Sequence, residues 1–176
     1  MRNQILSIVE NLIPFDELEA KHRSQALKWI GSDVELFRTQ KPATPNPHLV
    51  SYFVLVDFDA NKILLVDHKK AQLWLPSGGH VEPDEHPKAT VERECFEELG
   101  ITADFWIDEP VFITITETVG LTAGHTDVSL WYVLKGKSAD AITFDKDEFV
   151  TIQWFALDKV PYERTEPHLK RFMHKL

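Results

Sequence analysis

A layered α+β sandwich is the arrangement this chain should adopt, and three features say so. Apolar residues recur at helical spacing near the N-terminus, at strand spacing through most of the middle, and at helical spacing again in one internal segment and at the C-terminus. Strands that flank one central helix, with further helices outside them, pack as layers around a sheet. A length of 176 residues suits one domain with a short extension and leaves little room for two.

Each element has its own signal. Residues 1–38 read as helical: Ile5, Ile8, Val9 and Leu12 share one face, and Pro14 ends that segment. Asp16 followed by Glu19 resembles a capping box, after which Leu18, His22, Ala26, Trp29 and Ile30 form a second stripe that stops at Gly31. The run Gln40-Lys41-Pro42-Ala43-Thr44-Pro45-Asn46-Pro47 is too rich in proline for helix or strand and reads as an extended connector. The boundary therefore falls here, with residues 1–40 as an N-terminal helical extension and 41–176 as the main domain. Val50–Asp57 and Lys62–Asp67 are rich in aliphatic residues and joined by the turn Asp59-Ala60-Asn61, which predicts a hairpin. Leu73-Trp74-Leu75 is a further short strand closed by Pro76-Ser77-Gly78-Gly79. Pro87–Leu99 has helical spacing, with proline at the first position and Gly100 as its stop. Thr102–Val119, Asp127–Lys135 and Val150–Phe155 return to strand composition. Pro167–Leu176 predicts a terminal helix with Leu169, Phe172 and Met173 inward.

Composition narrows the function. Hydrophobic residues make up 43% and charged ones 27%, which excludes a wholly disordered chain. The net charge of −9 repels phosphate backbones and anionic lipid, so neither a nucleic acid polymer nor a membrane is an expected partner. One cysteine can form neither an internal disulfide nor a thiolate cage, which points to a reducing compartment. The longest apolar runs, such as Phe53-Val54-Leu55-Val56, are strand-sized, and the N-terminal residues do not read as a signal peptide. The expected location is the cytoplasm.

The chemistry sits in residues 79–101, GHVEPDEHPKATVERECFEELGI, which hold seven acids and two fixed cations. On a helix Glu94, Glu97 and Glu98 share one face, while Val91, Cys95, Phe96 and Leu99 line the other. Like charges at these spacings cost roughly 0.2–0.5 kcal/mol per pair even in water. A divalent cation reverses the sign of that term, and hard oxygen donors on one rigid face suit Mg²⁺ or Mn²⁺. The plain alternative is a solvated acidic face.

Gly79, Glu85, Arg93, Glu94, Glu97, Glu98, Gly100 and Ile101 stand at the spacing of the signature of the Nudix hydrolases, which the segment closely resembles. Cys95 replaces the usual aliphatic, a change of packing rather than of chemistry. The resemblance extends over about residues 48–160. It implies an α/β/α sandwich with a mixed sheet, and hydrolysis of a diphosphate linkage with Mg²⁺ or Mn²⁺. It also implies metal binding by Glu94, Glu97, Glu98 and the carbonyl of Gly79, with Glu85 and Arg93 as a pair that positions loop and helix. Glu82 matches an accessory acid, and Glu148, with Asp147 as alternate, is the candidate for a further acid from a later loop. The substrate implied is a phosphorylated small molecule, a nucleoside diphosphate derivative or nucleoside triphosphate.

Other residues admit two readings each. His80, after the glycines, either faces substrate or shapes the loop. His125, with Asp127, either contacts substrate or makes a turn. Lys69, with Lys70, either meets phosphate or is solvated, and Trp74 either stacks on a base or belongs to the core. His86 reads as a helix cap. Cys95 reads as buried and inert, which weighs against the rival activity of the fold, isopentenyl diphosphate isomerisation, because that needs a cysteine and a glutamate poised for proton transfer. A second rival is a nucleotide-binding sensor without turnover; it conflicts with the full set of carboxylates. The two apolar stripes of the extension either pack on the sheet or form a homodimer.

Overall fold

The strand β1 (His48–Asp57) organises the sheet, because both of its faces and both of its edges are covered. The computed structural model describes residues 1–41 and 44–176, with only the backbone of Thr122; Pro42 and Ala43 of the expected connector lie outside the described residues. Along one edge β1 runs parallel to β6 (Thr126–Lys135), from the pair His48–Asp127 to the pair Val56–Lys135. On its other edge Val50–Phe53 pair antiparallel with β4 (Ser77–His80), while β2 (Lys62–His68) meets only Val56 and Asp57. β2 then diverges, pairing along its length with β7 (Phe149–Ala156) and near its end with β3 (Leu73–Leu75). β5 (Phe112–Glu117) lies antiparallel to β6. The result is a mixed seven-stranded sheet, forked where β1 and β2 part.

Strand alternation gives each face a core. Leu49, Phe53 and Leu55 of β1 join Val128, Leu130 and Tyr132 of β6 on the face covered by α3 (Pro87–Leu99). The helices α1 (Arg2–Asn11) and α2 (Glu17–Ile30) add Ile5, Val9, Ala26 and Ile30 to that same cluster. On the opposite face Val54, Trp131 and Val133 pack with Leu169 and Phe172 of α4 (Leu169–Lys175). An α/β/α sandwich follows, and the N-terminal helices are part of its packing.

Several expectations need correcting. Helix does not reach residue 38: α2 ends at Ile30, and Leu36 is buried in a non-helical segment whose carbonyl accepts from the Leu49 N–H at 2.8 Å. Leu18 is 39% exposed, and Glu19 takes the inward position instead, at 0%. Asp16 does cap α2, accepting from the Glu19 N–H at 2.8 Å, whereas the Glu19 carboxylate accepts from Phe15, Ile113 and Lys175. Ser77–Gly79 are a strand rather than a turn, held by pairing with Ser51–Phe53. Within residues 102–119 only Phe112–Glu117 form a strand.

Candidate active site

α3 begins and ends as its sequence requires. His86 Nδ1 accepts from the Lys88 N–H at 3.2 Å, Pro87 occupies the first turn, and Gly100 closes the helix in the left-handed region at φ 65°. The buried stripe is Val91, Cys95 and Leu99, at spacing i, i+4, i+8. Phe96, expected on that stripe, is rotated away and is 68% exposed. Cys95 is fully buried, and burial pushes its thiol up to about 12, so it offers no acid or nucleophile to a substrate.

The acidic face opens into a cleft of about 700 Å³ at the fork of the sheet, lined by Glu82, Glu94, Glu97, Glu98 and Glu148 among others. Arg93 organises one side. Its Nε and Nη2 donate to the two oxygens of Glu85 at 2.9 and 3.0 Å, its Nη1 to Glu94 at 2.6 Å, and Nη2 also to the His80 carbonyl at 3.2 Å. Glu85 in turn accepts from Thr90 Oγ1 and the Glu82 N–H, at 2.7 and 3.1 Å. This lattice ties the loop before α3 to the helix itself. Glu98 accepts from the Ser77 hydroxyl and from the Gly78 N–H at 3.1 Å. Gly79 has no side chain where one would collide: a Cβ there would lie 2.0 Å from Glu94 Oε1. Glu148 belongs to a loop hung from α3, with the Asp145 N–H donating to the Glu98 carbonyl at 2.8 Å. Asp147, its alternate, is exposed and does not line the cleft.

Burial and mutual repulsion shape the ionisation of these acids. Burial is the main cause that raises Glu94, with Glu97 and Glu148 adding to it against the opposing Arg93. Glu98 is pushed up to about 9, again by burial first and then by Glu94 and Glu148, while Ser77 and Gly78 pull the other way. A cluster so desolvated and so negative is the donor set a hard divalent cation fits. Arg38, Lys41 and Lys70 line the same cleft and supply positive charge for an anionic ligand.

The remaining predicted residues divide. His80 and His125 line the cleft. Lys69 does not: its Nζ donates to the Lys146 carbonyl, and Lys70 takes the cleft position. Trp74 is 9% exposed and set edge-on to Phe155 with ring centroids 5.0 Å apart, so it belongs to the α4-side core and offers no stacking face. Three cleft residues, Arg38, Tyr52 and Glu166, carried no local signal, nor did His48, which is fully buried behind His80. His48 sits at the start of β1 and touches His80, Nε2 to Nε2, at 2.9 Å. Tyr52 and Glu166 face the cleft from the sheet and from the segment before α4.

Fold and cleft together define an α/β/α hydrolase that carries its acids on one helix. Residues 47–176 match the family model of the NUDIX domain, and the chain belongs to the Nudix family. With the full set of carboxylates in place it is a Nudix-type pyrophosphohydrolase, from a family that uses divalent metal ions. A MutT-like protein of Streptomyces ambofaciens is 26% identical over 137 residues, 78% of this chain and 82% of that protein. A Nudix-family hydrolase from Clostridium perfringens shares the fold at TM-score 0.60 and 21% identity, over 72% of this chain and 93% of that one. The NUDIX domain of Shewanella oneidensis NrtR, solved in complex with ADP ribose, superposes at TM-score 0.58 and 19% identity, over 72% and 84% of the two chains. Among the described residues no helix is long and apolar enough to cross a membrane.

Proposed function

We propose that this enzyme cleaves a phosphoanhydride bond in a nucleoside diphosphate derivative or a nucleoside triphosphate, using Mg²⁺ or Mn²⁺. The observation that carries the reading is the convergence of Glu94, Glu98 and Glu148 on one cleft that also presents Arg38, Lys41 and Lys70. Glu94, Glu97, Glu98 and the Gly79 carbonyl are the residues that would hold the ion. When bound, it supplies charge neutralisation and activation of water at the phosphorus. The protein does the rest. Arg93 and Glu85 fix the direction of Glu94, and Ser77 and Gly78 fix Glu98. The cations on the cleft wall complement the phosphate charge that the acids alone would repel. Glu148, carried by a separate loop, takes the proton of the attacking water. The nucleotide class is supported by the NUDIX domain of NrtR, which was solved in complex with ADP ribose. Residues 1–40 form an extension before the Nudix domain of 41–176, and their apolar stripes serve the fold of one chain rather than a homodimer.

The test is phosphate and pyrophosphate release from a panel of nucleoside triphosphates, nucleoside diphosphate sugars and related compounds, with Mg²⁺, with Mn²⁺ and with chelator. Turnover should require the ion and fall by about 100-fold or more in Glu98→Gln and in Glu148→Gln. Equal rates in chelator, or undiminished rates in both variants, would sink the reading.

A further inference from the structure

Four side chains from three separate elements meet beside the cleft, His80, His125 and Asp127 on its wall and His48 buried behind them, and have no part in the reaction proposed above. His48 begins β1, His80 ends β4, and His125 and Asp127 flank the start of β6. Each offers one ligand atom, and these four atoms lie within 4.8 Å of one another. His48, His125 and Asp127 are buried, at 0%, 6% and 7% exposure. The parallel register of β1 and β6 sets His48 directly beside Asp127, so the sheet itself assembles the group.

Proton accounting shows what the group lacks. His48 Nδ1 lies 2.8 Å from the Pro45 carbonyl, which only accepts, so Nδ1 carries the proton and Nε2 of the neutral ring is a lone pair. The Thr118 hydroxyl donates to the His125 carbonyl at 3.1 Å and faces His125 Nδ1 at 3.2 Å as an acceptor, which leaves His125 Nε2 as a lone pair too. Arg38 Nη1, a donor, lies 3.2 Å from His80 Nε2. Asp127 Oδ1 is buried with no hydrogen-bond donor among the described residues. Four acceptors therefore point at one another. The separations are 2.9 Å for His48–His80, 3.1 Å for His48–Asp127 and 3.5 Å for His125–Asp127. Such a set is satisfied by a cation at its centre or by added protons on the rings.

We propose that His48, His80, His125 and Asp127 form a second metal site, for a zinc-class divalent cation, separate from the glutamates of α3. Three imidazoles and one carboxylate suit zinc rather than Mg²⁺, which prefers oxygen donors alone. Tetrahedral zinc with bonds near 2.0–2.1 Å places its ligand atoms about 3.3 Å apart, inside the spread observed here. The Pro45 carbonyl and Thr118 hydroxyl supply the outer contacts that orient metal-binding histidines. Metal capture displaces Arg38 from His80 and frees its guanidinium for the cleft. With four protein ligands the site is closed and structural. It ties the first residue of β1 and the loop into β6 to the strand that carries Gly79, beside Glu94.

The experiment uses the full chain, stripped with chelator and dialysed, then titrated with Co²⁺ in excess Mg²⁺ so that oxygen sites are already filled. Visible spectra should report one equivalent of four-coordinate cobalt, displaced by Zn²⁺, and one equivalent of Zn²⁺ should raise Tm by several degrees. Asp127→Asn and His125→Gln should each weaken cobalt binding by about 100-fold or more, while Glu94→Gln/Glu98→Gln keeps it. Thermal melts check that each variant is folded, and Asp127→Asn, nearly isosteric, decides the matter if His125→Gln is not. Absence of cobalt binding, a six-coordinate spectrum, or equal binding by Asp127→Asn overturns the site. So does NMR evidence that His48 remains an imidazolium paired to Asp127 when Zn²⁺ is present. The glutamate double variant separates this outcome from failure of the hydrolase reading, because it removes turnover and leaves the cobalt spectrum.

Discussion

Glu166 has 5% of its surface exposed and faces the same cleft as the glutamates of α3, yet it stands in the Thr-Glu-Pro segment before α4. Its oxygens accept from Thr116 Oγ1 at 3.3 Å and from the His168 N–H. Burial dominates over those bonds and lifts the carboxyl from 4.5 to about 8. Between those two values the native state holds a proton that the unfolded chain has released. Stability therefore declines as pH rises through this window, opposite in sign to a salt-bridged carboxylate. Glu166→Gln removes the ionisation and keeps an acceptor. Urea unfolding at pH 5 and pH 8 should find the variant close to the parent at the lower pH and more stable at the higher, by about 4 kcal/mol at most. An unchanged difference between the two pH values would show that Glu166 does not ionise on unfolding.

The short strand β4 decides where the acids stand, and its two glycines do so in different ways. At Gly78 the backbone has φ 144°, and a Cβ would meet the Ser51 carbonyl at 2.2 Å, so the obstacle is another strand. At Gly79 the obstacle is the flexible end of Glu94, 2.0 Å away. Gly78→Ala should accordingly lose stability, by about 1–3 kcal/mol, as β1 and β4 part. Gly79→Ala should melt near the parent but turn over about 100-fold more slowly, because a carboxylate displaced by about 1 Å no longer meets its ion correctly. Thermal melts beside initial rates separate the two, and a stable, fully active Gly79→Ala would contradict this account of the cradle. The same strand shows why parts of the molecule were illegible in the sequence. Pro76-Ser77-Gly78-Gly79 has the composition of a turn, and only pairing with Ser51–Phe53 makes it a strand. The acids of α3 were legible because a helix brings residues three and four apart onto one face without help from elsewhere. His48 and Asp127 carry no such signal: they are neighbours only through the parallel register of β1 and β6. Trp74 and Lys69 show the reverse: composition places them near the site, but Trp74 packs edge-on to Phe155 and the Lys69 ammonium is held by the Lys146 carbonyl.

Across the whole molecule, the extension and the Nudix domain share one core and one cleft. Ile5, Val9, Ala26 and Ile30 lie in the same cluster as Phe53 and Leu130. Glu19, at 0% exposure, joins them by accepting from the Ile113 N–H at 3.3 Å and Lys175 Nζ at 2.7 Å, and so links α2, β5 and α4. A fragment of residues 41–176 would uncover that apolar face and leave Lys175 without its partner. It should unfold at lower temperature, bind a hydrophobic dye and associate. Glu19→Ala in the full chain should lose about 3–5 kcal/mol for the broken buried pair. Arg38 gives the extension a second role, because it reaches the cleft from residues outside the Nudix domain proper. Arg38→Ala should raise KM for a polyphosphate substrate by about 10-fold or more, the worth of one charged hydrogen bond, with Tm close to the parent. The two variants thus pull apart packing and recognition. A fragment that matches the full chain in both Tm and KM would mean that neither the shared core nor Arg38 matters, and that residues 1–40 only accompany the domain.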